Sequence, residues 1–127
     1  MTIPHPWLLA AALSGGLATL AGAYGAHGLE GGQTLIDAFK SGVQYHMWHS
    51  LALLAVAWIT DAKKGTDAAK WAHRAGCLFA AGIVLFCGAL YAYGMQGTSL
   101  IPGMAPLGGI TLMGGWALLA FAATRKG

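Results

Sequence analysis

"DAKKGTDAAKWAHR", residues 61–74, gathers four of the chain's seven lysines and arginines into one short stretch. Apolar runs lie on both sides of it, each near the roughly 20 residues that a helix needs to cross the hydrocarbon core of a bilayer. The stretch therefore reads as a loop between two membrane spans, and the rest of the fold follows from that reading.

Composition agrees with it. Hydrophobic residues make up 57% of the 127 positions and charged residues 9%, against roughly 45–50% and about 25% in soluble domains. Such a length fits one domain, 1–127. The sequence pI is near 9.1, yet the basic residues are not interleaved with stacking aromatics in one patch, which argues against nucleic acid as a partner.

Hydropathy predicts four spans, at about 6–27, 43–60, 73–95 and 105–123. The stretch "QTLIDAFKSGV" (33–43) sets Leu35, Ile36, Phe39 and Val43 at helical spacing, as an interfacial segment or as an outward extension of the second helix. A neutral connection, "QGTSLIPGMA" (96–105), separates the last two spans. Residues 1–23 lack the basic n-region of a secretory signal, so the first span is expected to be retained.

Four spans place Lys63, Lys64, Lys70, Arg74, Arg125 and Lys126 on one side and Lys40 alone on the other. That bias predicts cytoplasmic termini. Small residues recur every four positions, as Ser14, Ala18, Gly22 and Ala26 and as Gly76, Ala80, Val84, Gly88 and Ala92. Such rows, with Gly25, Gly108, Gly109, Gly114 and Gly115, are helix-packing ridges that serve a monomeric bundle or a contact with another chain.

Polar side chains collect near the extracytoplasmic side. His27 ends the first span, Gln44, Tyr45, His46, His49 and Ser50 open the second, and Tyr91 and Tyr93 lie near the outer end of the third. Intramembrane histidines mark a site by default because unpaired polar groups are costly in lipid. His27, His46 and His49 are the metal candidates, with Met47, Met95 or Met104 suiting Cu(I), while haem needs two histidines from facing helices. The structural alternative is that His27 and His49 bond to each other, to Tyr45 or to free carbonyls and tie helix ends together.

Other chemistries are disfavoured. Glu30, Asp37, Asp61 and Asp67 all fall in predicted connections, leaving no intramembrane carboxylate for an ion path. His49 and Ser50 are adjacent and point apart on a helix, unlike a base and its nucleophile. Cys77 and Cys87 stand about 15 Å apart by helical rise, too far to bridge. Trp7, Trp48, Trp58, Trp71 and Trp116 read as interfacial anchors.

Four motifs, "GAYGAHGL" (22–29), "FKSGVQYHMWHSLALL" (39–54), "GIVLFCGALY" (82–91) and "APLGGITLMGGW" (105–116), resemble those of a small membrane family, domain of unknown function 423, whose eukaryotic relative is transmembrane protein 256. The resemblance covers nearly the whole chain in order. It implies a four-helix integral membrane protein, in bacteria of the inner membrane, and no established activity. Gly22, Gly25, His27, Gly28, Gln44, Tyr45, His49, Phe86, Gly88, Tyr91, Pro106, Gly108, Gly109 and Trp116 match its pattern. His46 stands where relatives carry glutamine, and Cys87, Ala89 and Ala105 replace hydroxyl residues of the family pattern, which weakens any hydroxyl-lined pathway through the third and fourth helices.

The expectation is thus an all-α, integral membrane four-helix bundle in the bacterial inner membrane, with both termini cytoplasmic. It would act without enzymatic activity and without a cofactor, as a subunit or assembly factor of a larger membrane complex or through self-association. The alternative is a binding module for a metal, haem or small hydrophobic ligand at His27, Gln44, Tyr45, His46, His49 and Tyr91.

Overall fold

The computed structural model describes residues 5–98 and 101–126, and within them the chain is helical with no strand. The helices are α1, Pro6–His27; α2, Gln33–Ala62; α3, Asp67–Gln96; and α4, Met104–Thr124. Residues 99 and 100 of the expected 96–105 connection lie outside the described residues, as do 1–4 and 127.

Two helices begin earlier than hydropathy suggests. α2 starts at Gln33 instead of about 43, because Phe39 of the Leu35, Ile36, Phe39, Val43 stripe is buried. A Cβ on Gly25 of α1 would stand 3.0 Å from the Phe39 ring, and one on Gly94 of α3 would stand 2.7 Å from its Cβ. α3 starts at Asp67 instead of about 73, because Thr66 caps it by accepting the Ala69 N–H at 3.2 Å. Asp67 adds a carboxylate to that first turn, where it favours the helix dipole. The charged loop shrinks accordingly, and all of "DAAKWAHR" (67–74) is helix. The stop of α3 is Gly97, whose φ of +77° places it in the left-handed region that glycine tolerates.

The helices pack as an antiparallel series. Phe39 against Gly25, Val43 against Gly22, and Ser50 against Ser14 step in opposite directions along α2 and α1. Between α3 and α4 the same stepping pairs Gly82 with Leu112, Phe79 with Gly115, and Trp71 with Phe121. α2 and α3 are central, with α1 laid mainly on α2 and α4 on α3. Their common core includes Ala11, Leu53, Val56, Ala75, Phe79, Ile83 and Leu112.

The small-residue ridges are partly rephased. On α1 the buried positions are Ala11, Ala18 and Gly25, while Ala26 is exposed. On α3, Val84 is 67% exposed and leaves the ridge. One π-helical turn, Ile83–Cys87, interrupts α3 here, and Gly108 of α4 lies so close to the Phe86 backbone that no side chain fits between them.

α1, α3 and α4 are long and apolar enough to cross a bilayer. α2, which carries Gln44, His46, His49 and Ser50, falls short of that apolarity. It is packed between α1 and α3 along its length, so a bilayer that encloses them encloses it. Leu8, Leu9, Leu13, Leu17 and Leu20 of α1 and Leu107, Ile110, Met113 and Phe121 of α4 are exposed, as lipid-facing side chains are. Six basic residues gather at one end, where Arg125 meets Asp67 at 2.7 Å, the Ala68 N–H donates to the Lys126 carbonyl, and Trp7 donates to His73.

Candidate functional site

Two turns of α2 send one side-chain hydrogen bond to each of the other three helices. Toward α3, the His46 Nδ1 and the Tyr91 hydroxyl share a bond of 2.8 Å. Toward α4, the Trp116 Nε1–H donates to the His49 Nε2 at 2.9 Å. Toward α1, Ser50 and Ser14 meet at 2.5 Å between hydroxyl oxygens. Because the Ser50 hydroxyl donates to the His46 carbonyl, its proton is committed and Ser14 is the donor.

The geometry also sets the His49 proton. An indole N–H only donates, so the Nε2 facing Trp116 must be the acceptor and the proton resides on Nδ1. Nδ1–H then donates to the Tyr45 carbonyl at 2.6 Å. Both ring nitrogens are occupied in the neutral form, and a second proton would set two N–H groups against each other. Phe79 and Trp116 close around the ring, with centroids 5.8 and 5.7 Å away, and Tyr45 stacks on it at an interplanar angle of 9°.

His27 does not join this hub. It is exposed at the last position of α1. Ser14 marks the hub's depth on that helix, and thirteen residues of helical rise put His27 about 20 Å away. The reason lies in α2, whose early start carries His46 and His49 from a helix end to mid-span. Gln44 is likewise exposed, and Tyr45 faces Trp48 and Phe86 without a side-chain hydrogen bond among the described residues. His46 and His49, three positions apart, diverge toward different helices.

Trp116 is the hub member that its reading as an interfacial anchor misses. It sits near the middle of α4, where an indole N–H has no water to bond. Ser14 was legible only as a ridge residue, yet it supplies the hydroxyl that meets Ser50. Among the described residues, no three His, Cys, Asp or Glu side chains are grouped to hold a metal, and no imidazole nitrogen bonds to the Ser50 hydroxyl.

Over the hub lies an apolar groove of about 430 Å³. Trp48 and Leu51 of α2 form one wall, Gly109, Met113 and Trp116 of α4 the other, and Phe86 of α3 part of the floor. The groove exists because the α2 and α4 backbones scarcely approach one another. The π-helical turn carries Phe86 into it, against Tyr45 at 4.9 Å between ring centroids. Single π turns inside α-helices are frequent at functional sites.

Comparison with known proteins gives a consistent picture. Residues 21–109 match the model of a family described as a protein of unknown function, DUF423. UPF0382 membrane protein YwdK of Bacillus subtilis is 37% identical over 121 residues, covering 94% of this chain and 96% of that protein. UPF0382 membrane protein SERP0230 of Staphylococcus epidermidis is 31% identical, covering 94% and 95%. UPF0382 inner membrane protein YgdD of Escherichia coli K12 is also 31% identical, covering 93% and 88%. No solved structure matches.

Proposed function

The chain belongs to the DUF423 family of multi-pass inner-membrane proteins, and from that premise we propose that it is a non-enzymatic scaffold subunit. It holds one transmembrane helix of a larger membrane complex in the groove between α2 and α4. The observation that carries this reading is the groove itself, open toward the lipid and walled by exposed apolar side chains with glycine at its edge. Small residues let a second helix backbone approach closely, and lipid supplies no hydrophobic drive of its own, so shape decides association.

The hub supports this role from below. Its histidines, tyrosine, serines and tryptophan bond to one another, which fixes the groove walls and leaves His49 no ring nitrogen for a ligand. On this reading the protein carries no metal or haem at His27, His46 and His49. Both termini lie in the cytoplasm, as the clustering of six of seven lysines and arginines at one end supports.

Photo-crosslinking in native membranes tests the proposal. A crosslinking residue at Leu51 or Met113 should give one discrete protein adduct, and one at Leu17 on the outer face of α1 should not. Gly109→Leu, which fills the groove, should abolish the adduct while helicity and yield are kept. Adducts with lipid alone at Leu51 and Met113 would overturn the scaffold reading and give the groove to an acyl chain.

A further inference from the structure

At the opposite end of the helices from His27, a second cavity of about 670 Å³ opens between the start of α1, the end of α2 and the start of α3. Its volume is within the range of small-molecule sites, roughly 300–1,000 Å³. His5, Trp7, Lys64, Lys70, His73 and Arg74 line it, with Asp61 as its one carboxylate. We propose that this cavity holds the phosphate of an anionic phospholipid headgroup.

The charge balance is the first argument. Lys64, Lys70 and Arg74 bring three cations, and no ion pair engages them among the described residues. The other nearby carboxylate, Asp67, is taken by Arg125 at 2.7 Å, and Asp61 faces His5 at 3.8 Å. An excess of positive charge therefore faces the cavity. Arg74 is also held in place, its guanidinium 4.5 Å from the centre of the Trp71 ring.

Hydrogen-bond donors are the second. Trp7 Nε1–H donates to His73 Nδ1 at 2.7 Å, which puts the neutral His73 proton on Nε2, free to donate to an oxyanion. Trp7 is seated for this by Gly76, where any Cβ would meet its ring at 2.7 Å. His5 Nδ1 is buried with no hydrogen-bond partner among the described residues.

Position selects a lipid over a free anion. The cavity lies at a helix end, at headgroup level, and Leu9 and Leu13 follow Trp7 on α1 with 57% and 61% exposure for an acyl chain to cover. Basic pockets between transmembrane helices recognise phospholipid headgroups in this way. The inference is independent of the groove between α2 and α4.

The test is native mass spectrometry of the full chain in detergent with added phosphatidylglycerol, phosphatidylcholine or inorganic phosphate. Phosphatidylglycerol should be retained and phosphatidylcholine should not, with each cation removed in Lys64→Gln, Lys70→Gln and Arg74→Gln weakening retention about fivefold. Lys40→Gln, at the far end, should leave retention unchanged and controls for net charge. Equal retention of the two lipids, or undiminished retention by the triple variant with its helicity intact, would overturn the proposal. Binding of inorganic phosphate as tight as that of phosphatidylglycerol would overturn the lipid assignment and leave a free-phosphate site.

Discussion

Trp116 and His49 are bonded across two helices whose backbones hardly meet, and the bond fixes which nitrogen of His49 carries the proton. Trp116→Phe keeps an aromatic ring at the site but removes the donor with the pyrrole part of the indole. The lost bond should cost about 0.6–1.7 kcal/mol, from the average to the largest value for interhelical hydrogen bonds in membranes, with lost ring packing added to it, read as a lower midpoint for unfolding in mixed detergent micelles. The same substitution in a His49→Phe background should cost less, since the acceptor is already gone.

Close approach of α3 and α4 predicts a sharp contrast between glycines. Gly108→Ala drives a Cβ into the Phe86 backbone and should destabilise by about 1–3 kcal/mol, as overpacking does. Gly16→Ala meets nothing within 4 Å and should be neutral or stabilising by up to about 1 kcal/mol, because glycine weakens a helix interior. Thermal unfolding of both variants in one detergent checks the pair.

Metal content separates the scaffold reading from its rival. Protein purified from native membranes should hold iron, copper and zinc far below one atom per chain. The His27→Ala, His49→Ala double variant should give the same values. Near-stoichiometric metal that disappears in the double variant would make these histidines ligands.

Topology follows from charge. A reporter fused after Gly127 should be active only as a cytoplasmic fusion, and one inserted near Gly97 only as an extracytoplasmic one. The reverse pattern would place the six-residue basic end, and the cavity beside it, outside.

The number of helices and the membrane class were legible because apolar runs and the charged stretches between them are local signals. The start of α2 was legible only in part. The Leu35, Ile36, Phe39, Val43 stripe has helical period, but Asp37 and Lys40 interrupt its apolarity, and what makes it a packed helix is Gly25 and Gly94 on other elements. The start of α3 has a local signal in Thr66, a capping residue just ahead of Asp67. Of the candidate residues, the structure brings His46, His49 and Tyr91 into one bonded hub and leaves His27 and Gln44 outside it. His27 stands out in the sequence as a histidine at a helix end, whereas the contact from α1 comes from Ser14, ordinary in a row of small residues. Depth sets that separation, since a ten-residue shift in where α2 begins moves its histidines by about 15 Å along the helix.

The π-helical turn at Ile83–Cys87 makes α3 a helix of two phases. Before it, Phe79 and Gly82 are keyed to α4, through Gly115 and Leu112. After it, Tyr91 and Gly94 are keyed to α2, through His46 and Phe39. Deleting one residue within 83–87 would restore a plain helix and turn the later segment by about 100° relative to the earlier one. The chain is thus length-sensitive in the middle of a span where composition alone would tolerate a missing leucine. The extra residue works as a spacer that lets one helix answer two neighbours whose faces are out of step.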